Sequence, residues 1–197
     1  MNVGATLFVQ PPPPGTYDPL HFMHALNRYP ITTVCCPPTI YRALVSPQAL
    51  EKFRQFPPKA LEHCVSAGEP LNPSIIPQWH SATGTYICDG WGQTETVVIV
   101  ANFLGVPLKA GSMGRPAPGF EISVIDSEGK ELSDGEEGEL VCRVDKGAGA
   151  KYIFKGYIKN GQLDKRQKSF NGKTWYCTGD RGSQSLLLSQ CQSQLTE

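Results

Sequence analysis

The sequence lacks several features that define common classes of protein. Its 197 residues carry 18 basic and 18 acidic side chains, so the chain has no net positive charge of the kind that binds nucleic acid or an anionic membrane. No apolar run approaches the roughly 20 residues that span a bilayer. The N-terminus resembles neither a secretory signal nor an arginine-rich transit segment. We therefore expect neither a nucleic-acid partner nor a transmembrane segment.

Cysteine is present, but without the spacing that binds metal. The chain has seven cysteines, of which Cys35 and Cys36 are adjacent, and it has no CxxC pair or Cys/His cluster. Structural zinc sites are built from such closely spaced ligands. We interpret the cysteines as reduced, mostly buried thiols of an intracellular protein.

The first half of the chain alternates short apolar strands with short helical patterns. The predicted strands are Asn2–Gln10, Ile31–Val34, Cys64–Ala67 and Thr85–Cys88. The predicted helices are Phe22–Asn27, Thr39–Val45, Pro47–Phe53 and one that includes Ile75, Ile76 and Trp79. This alternation is typical of a parallel α/β layer, in which ligands bind at the carboxyl ends of strands. The turns after Ala67 and Cys88 are therefore the candidate sites.

The second half changes character near Gly111. Its predicted strands are Glu121–Ile125, Glu139–Val144, Tyr152–Ile158 and Thr174–Cys177, with one helical turn around Leu163–Lys168. The fold class is α/β, a parallel α/β layer followed by a small antiparallel β subdomain. The predicted boundaries are 1–110 for the first part, 111–182 for the second, and 183–197 for a divergent, disordered tail. We expect Pro11–Pro14 to be a short, stiff linker.

Charge is local even though it sums to zero. Ten basic and three acidic residues lie between Arg143 and Arg181. The favoured interpretation is a solvated face of a sheet, because charge runs usually face water. The alternative is a basic surface near bound phosphates.

The segment Asp89–Thr96 has the richest chemistry, and it follows a predicted strand. Gly90 and Gly92 allow the backbone to come close to a ligand, and the Trp91 ring between them is suited to stacking on a base. Glu95 is a hard oxygen ligand fit for Mg²⁺. Taken alone, the segment is equally consistent with an ordinary loop around a buried tryptophan.

Two other segments gain meaning beside it. Ser66–Leu71 places Gly68 at a strand end, and Tyr176–Arg181 places Asp180 after a glycine in a tight turn. An aspartate there can accept hydrogen bonds from two vicinal hydroxyls, as on a ribose. Each segment alone is more simply a turn.

Together the three motifs resemble the adenylate-forming acyl-CoA synthetases, specifically the medium-chain enzymes of mitochondria. Ser66–Leu71, Gly90–Thr96 and Thr178–Arg181 match in order, and three ordered motifs are more specific than one. Pro30–Arg42, Gly111–Pro118 and Gly135–Leu140 also resemble parts of that family. The resemblance covers roughly residues 2 to 182.

The resemblance implies a two-step reaction with ATP, Mg²⁺ and coenzyme A. A medium-chain fatty acid attacks the α-phosphate of Mg-ATP to give acyl-AMP and pyrophosphate, and the thiol of coenzyme A then takes the acyl group. It also implies a location in the mitochondrial matrix. Chain-length preference and oligomeric state stay open. A ligase for aryl acids or amino acids is the alternative within the superfamily.

The resemblance also assigns roles to residues. The implied nucleotide- and substrate-binding residues are Gly68, Glu69, Pro70, Asp89, Gly90, Trp91, Gly92, Gln93, Thr94 and Asp180. Gly68–Pro70 lie along the junction of adenosine and acyl group, and Asp89–Trp91 frame the adenine. The Asp180 carboxylate accepts hydrogen bonds from the ribose hydroxyls.

The implied catalytic residues are Thr94 and Glu95, and Glu95 is the implied Mg²⁺ ligand. Gln93 and Thr94 contact the acyl or phosphate end.

The chain also departs from the family's pattern. The phosphate loop that the resemblance places before residue 1 has no counterpart here, and Ser183–Glu197 matches nothing of the family's lysine-bearing C-terminal domain. We expect a truncated or alternatively spliced product that is inactive alone. The alternatives are a non-catalytic form that binds adenine nucleotide, and one that pairs with a full-length relative through unpaired strands.

Overall fold

A computed structural model describes residues 4–9, 18–185 and 190–192 of the chain. The chain divides into two compact units, Met1–Val65 with Ser74–Ile87, and Ser66–Pro73 with Cys88–Glu197. All three motifs lie in the second unit. The subdomain boundaries expected near residues 110 and 182 remain a prediction.

Short helices and strands alternate through the first unit. Its elements are α1 (Pro19–Arg28), β1 (Thr33–Cys36), α2 (Pro38–Leu44), α3 (Pro47–Gln55), β2 (His63–Ser66) and α4 (Ile75–Thr83). Proline stands in the first turn of α1, α2 and α3, where a missing N–H is harmless. The Asp18 carboxylate caps α1 by accepting from the Leu20 N–H at 2.9 Å. Gly84, at φ +76°, ends α4.

Aromatic rings form the core of the first unit. The Trp79 ring makes edge-to-face contacts with Tyr41 and Phe53, at centroid distances of 5.4 and 5.1 Å. The Trp79 Nε1–H donates to Thr85 Oγ1 at 3.2 Å, so its polar atom is satisfied inside the core.

The second unit is built mainly from antiparallel strands. Its elements are β3 (Ile87–Gln93), β4 (Val97–Ala101), β5 (Arg115–Pro116), β6 (Ile122–Ile125), β7 (Glu137–Arg143), α5 (Gly147–Tyr152), β8 (Tyr157–Lys159), β9 (Gln162–Asp164), β10 (Gln167–Phe170), β11 (Lys173–Ser185) and β12 (Gln190–Gln192). Strands β3, β4 and β5 pair in that order. A second sheet has the order β10-β11-β7-β6, with β12 also on β11, and β8 and β9 form a hairpin.

Alternation along β11 separates two parts of the core. Trp175 and Cys177 pack with Ile125 and Val141, whereas Tyr176 packs with a cluster that includes Trp91. Successive side chains of a strand point to opposite faces, so the Tyr176 face of β11 is the one that meets the Trp91 motif. The α/β class with an antiparallel β part is confirmed.

Several predicted elements differ in the structure. Residues 4–9 join no strand ladder in the described structure, and Asn2, Val3 and Gln10 lie outside it. Without a neighbouring strand, an extended segment gains no ladder hydrogen bonds. The predicted strand Tyr152–Ile158 is instead the end of α5 and the start of β8, because Ile153 and Phe154 both turn toward the core.

The predicted helical turn around Leu163–Lys168 is also wrong. Leu163 and Asp164 belong to β9, Gln167 and Lys168 belong to β10, and Lys165 and Arg166 form the turn between these strands. Asn160 and Gly161, at φ +50° and +76°, form the tight turn of the β8–β9 hairpin. In the predicted disordered tail, β11 continues to Ser185 and pairs with Gln190–Gln192. The other tail residues, and Pro11–Pro14, lie outside the described residues.

In the part of the chain whose side chains the structure describes, six cysteines are free thiols, and all of these except Cys35 are buried. The burial expected for most of the cysteines is confirmed for five of these six. Within the described residues, no helix combines the length and the apolar character needed to cross a membrane.

Candidate functional site

The Asp89–Gln93 part of the central motif is a strand rather than the predicted turn. β3 continues to Gln93 and pairs antiparallel with β4, with a register shift between Trp91 and Gly92. The turn comes later, at Thr94–Thr96, where Thr96 Oγ1 accepts from the Gln93 N–H at 2.8 Å. Val97 follows at φ +58°, which is strained for a β-branched residue. The motif therefore presents its polar side chains at the end of a strand.

Asp180 is the centre of a hydrogen-bonded network that joins two motifs. The Trp91 Nε1–H donates to Asp180 Oδ2 at 2.9 Å, and Gln93 Nε2 donates to the same oxygen at 3.0 Å. Gln93 Nε2 also donates to the Thr178 carbonyl at 3.0 Å, and Tyr176 Oη–H donates to Gln93 Oε1 at 3.0 Å. We call these five residues the carboxylate network.

The carboxylate network fixes the orientation of a half-buried carboxylate. The Asp180 N–H donates to Thr178 Oγ1 at 3.1 Å, and the Thr178 hydroxyl donates to the Leu140 carbonyl at 2.7 Å. A carboxylate can accept about four hydrogen bonds, so two donors on one oxygen leave capacity for a ligand. The arrangement can therefore hold a pair of hydroxyl groups at a defined angle.

Tyr176 is the buried end of the carboxylate network. It is fully buried, and burial raises the pKa of its phenol to about 12, so its hydroxyl remains a donor at neutral pH. We expect Tyr176→Phe to lower the free energy of unfolding by about 1–2 kcal/mol, because Gln93 Oε1 loses its partner. Chemical denaturation measures this loss. Tyr152→Phe, at an exposed position, is the control and should change stability little; equal effects of the two variants would contradict the network.

The predicted stacking of a base on Trp91 does not fit the structure. Only 7% of Trp91 is exposed, and its ring packs with Ile99, Val100 and Met113 in the core. No open ring face remains for a base. Trp91 instead reaches the site through its indole N–H, which orients Asp180.

Glu95 lies beside a tyrosine from a distant part of the chain. Its carboxylate accepts a hydrogen bond from Tyr157 Oη–H, and its carbonyl accepts from the Phe154 N–H at 2.8 Å. The hydrogen bond from Tyr157 lowers the pKa of Glu95, so the carboxylate is charged at neutral pH. Among the described residues, no group of three or more His, Cys, Asp or Glu could hold a metal. One charged carboxylate still fits Mg²⁺, which keeps water and substrate phosphates as its other ligands.

Asp89 is a buried acid with an unusual pKa. It is 8% exposed, and burial raises its pKa to about 7, while the Gly90 N–H on Oδ1 at 3.1 Å opposes that shift. Its carbonyl accepts from the Asn102 backbone and side chain at 2.9 and 3.1 Å. Asp89 is thus fixed at the start of the motif.

This burial predicts a dependence of stability on pH. The pKa of an unfolded aspartate is about 4, and the folded value is higher, so the folded chain holds the proton longer. Stability is full below about pH 4 and falls as pH rises toward 7, by up to about 1.4 kcal/mol per pH unit. Urea denaturation between pH 4 and 7 should show a flatter profile for Asp89→Asn than for the wild type. Asp134→Asn, an exposed control, should keep the wild-type slope, and an identical slope in Asp89→Asn would contradict the burial of a neutral acid.

The first motif forms its own turn within the second unit. Ser66 is fully buried, and its hydroxyl has no hydrogen-bond partner among the described residues. Gly68 has φ +98°, and Glu69 and Pro70 are exposed. None of these residues belongs to the carboxylate network, so their predicted contact with substrate remains a prediction, as does that of exposed Thr94.

Sequence reasoning missed residues that the fold brings in from elsewhere. Tyr176 and Thr178 lie in the segment Tyr176–Arg181, but neither of them was assigned a role from the sequence; their spacing of two along a strand indicates that both face the same side. Tyr157 reaches Glu95 across 62 residues, and no local pattern in the sequence predicts that contact.

Residues 1–158 match the family described as AMP-binding enzyme. The chain belongs to this family. It is 40% identical over 182 residues to the mitochondrial acyl-coenzyme A synthetase ACSM3 of Pongo abelii, covering 91% of this chain and 29% of that protein. It is 40% identical over 166 residues to the mitochondrial acyl-coenzyme A synthetase ACSM4 of Homo sapiens, covering 84% and 27%. The chain therefore spans less than a third of the length of these relatives. The resemblance to the mitochondrial acyl-CoA synthetases is confirmed.

Solved structures give the same family. The acyl-CoA synthetase of Brucella canis superposes with a TM-score of 0.76 at 28% identity, over 91% of this chain and 31% of that one. ATP-bound MatB from Rhodopseudomonas palustris superposes with a TM-score of 0.74 at 25% identity, over 90% and 33%. The described residues thus share the fold of the matched part of these enzymes.

Proposed function

We propose that this chain forms the adenylate-binding part of an acyl-CoA synthetase. The reaction joins a medium-chain fatty acid to ATP as acyl-AMP, with release of pyrophosphate, and then transfers the acyl group to coenzyme A. The observation that carries this proposal is the carboxylate network, which joins side chains 87 and 89 residues apart around Asp180. A carboxylate oriented by two side-chain donors is suited to the vicinal hydroxyls of a ribose.

In this proposal, each residue of the site has a positioning or charge-balancing role. Asp180 accepts from the ribose hydroxyls, while Trp91 and Gln93 hold its carboxylate in place. The turn Thr94–Thr96 lies beside the reacting phosphate. Catalysis of such phosphoryl chemistry is mostly positioning and neutralisation of charge.

Glu95 would hold Mg²⁺ through its charged carboxylate, oriented by the Tyr157 hydroxyl. When bound, the ion would neutralise charge that develops on the phosphate oxygens. Gly68–Pro70 would lie along the acyl junction. We also propose, from the mitochondrial names of the relatives, that the chain acts in mitochondria.

Ligand binding tests the proposal more directly than turnover, because the resemblance places a phosphate loop and a lysine outside the matched motifs. We expect a thermal melt of this chain to shift upward with a non-hydrolysable acyl-adenylate analogue. At 100 times the dissociation constant the gain is about 2.7 kcal/mol. A cooperative melt that does not move at saturating analogue would contradict the proposed function.

A further inference from the structure

Arg166 is held by its backbone beside the third motif. It lies in the turn between β9 and β10, where its N–H donates to Asp164 Oδ1 at 2.9 Å and its carbonyl accepts from the Cys177 N–H at 2.8 Å. Its φ is +49°, a conformation that arginine adopts rarely. Strained backbone of this kind is concentrated at functional sites. The turn therefore fixes an arginine next to Cys177–Gly179.

The guanidinium of Arg166 lies over the glycine that precedes Asp180. Its Nη2 is 3.0 Å from the position that a Cβ of Gly179 would occupy, so a side chain at Gly179 would displace it. The positive charge of Arg166 also lies close enough to the Glu95 carboxylate to interact with it. Burial raises the pKa of Tyr176 to about 12, against the opposing charge of Arg166. One guanidinium thus acts on both Glu95 and the carboxylate network.

Arg166 forms no ion pair with a carboxylate among the described residues, which is also true of Lys165 and Lys168 beside it. Within 4.0 Å, the described acids pair with Arg143, Lys146, Lys159, Lys173 and Arg181. The Asp164 carboxylate, the nearest in sequence to Arg166, pairs with Lys159 at 3.1 Å. The exposed Arg166 side chain is in no such pair among the residues that the structure describes. Its guanidinium interacts with the Tyr157 hydroxyl rather than with a carboxylate, so it keeps further N–H donors for an anionic ligand.

We propose that Arg166 binds a phosphate group of the nucleotide held at Asp180. This inference rests on the proposed function and extends it to a residue outside the three motifs. The planar guanidinium matches the geometry of phosphate oxygens. With Arg166 over Gly179 and Asp180 next in the chain, ribose and phosphate would be bound by adjacent points of one strand and one turn.

Titration calorimetry with adenosine, Mg-ATP and inorganic pyrophosphate tests this proposal. We expect Arg166→Gln to lower the affinities for Mg-ATP and for pyrophosphate by about tenfold or more, because a charge-assisted hydrogen bond is lost. The affinity for adenosine should stay unchanged. Arg166→Lys, which keeps the charge, should recover part of the loss. Lys165→Gln removes the same charge one residue away and should leave all three affinities within about twofold of the wild type.

The outcomes separate this inference from the proposed function. If the chain binds adenosine and Arg166→Gln leaves the affinity for Mg-ATP unchanged, the proposed role of Arg166 is overturned while the proposed function stands. Pyrophosphate binding that depends on Arg166, without any adenosine binding, would support Arg166 and contradict the function. Equal losses in Arg166→Gln and Lys165→Gln would show general attraction of anions and overturn the specific site. A wild-type chain that binds none of the three ligands would overturn both.

Discussion

Replacing Gly92 with alanine is expected to destabilise the second unit severely. A Cβ at this position would lie 1.7 Å from the Val97 carbonyl oxygen and 2.6 Å from its carbon. Both atoms are backbone, so no rotamer change relieves the clash, and β3 and β4 would have to separate. We expect a loss of about 3 kcal/mol or more in the free energy of unfolding. Urea denaturation followed by circular dichroism measures it.

Gly90→Ala is the matched control, because it adds the same methyl group two residues earlier in β3. Its Cβ would meet the Val98 Cγ1 at 3.2 Å, a side-chain atom that can move by a few tenths of an ångström. We expect a loss of about 1 kcal/mol or less. Equal stability of the two variants would contradict the close approach of β4 to Gly92.

Asp180→Ala is expected to abolish most of the affinity for an acyl-adenylate analogue. The substitution removes the proposed acceptor for the ribose, and it removes the shared partner of the Trp91 and Gln93 donors. The variant would lose the two charge-assisted hydrogen bonds that the ribose hydroxyls are proposed to donate to Asp180, so we expect the affinity for the analogue to fall by at least about tenfold. Because the Trp91 N–H would be left buried, the free energy of unfolding should also fall, by about 1–3 kcal/mol.

Asp134→Asn serves as the control for charge, since it removes one negative charge from an exposed turn of the same unit. It should leave affinity and stability close to those of the wild type. Asp180→Ala with unchanged affinity would contradict the role of the carboxylate network, even where its stability falls as expected.

Local chemistry explains which elements could be predicted from the sequence. The helices α1 to α3 have proline in their first turn, and α4 ends at a glycine, so their positions follow from local signals. The positions of β6 and β7 follow from their partly alternating apolar sequence patterns, although all four residues of β6 are buried. The motifs themselves were recognised from their order along the chain.

Tertiary contacts explain what the sequence could not predict. Gly90 and Gly92 are typical of a turn, yet they lie in a strand because β4 packs against them. The position of Trp91 between two glycines predicts an exposed ring that could stack on a base. In the structure its ring is buried against Ile99, Val100 and Met113. The contact of Tyr157 with Glu95 and the position of Arg166 beside Cys177 arise only in the folded chain, and local patterns do not encode them.

The most direct test of the site follows the indole N–H of Trp91 by nuclear magnetic resonance. The chain has three tryptophans, and Trp91→Phe identifies the signal of the one that donates to Asp180. On addition of an acyl-adenylate analogue, we predict that the Trp91 signal shifts with saturable dependence on concentration. The signals of Trp79, bonded to Thr85, and of Trp175 should stay in place. A Trp91 signal that does not move at saturating analogue would contradict binding at the carboxylate network.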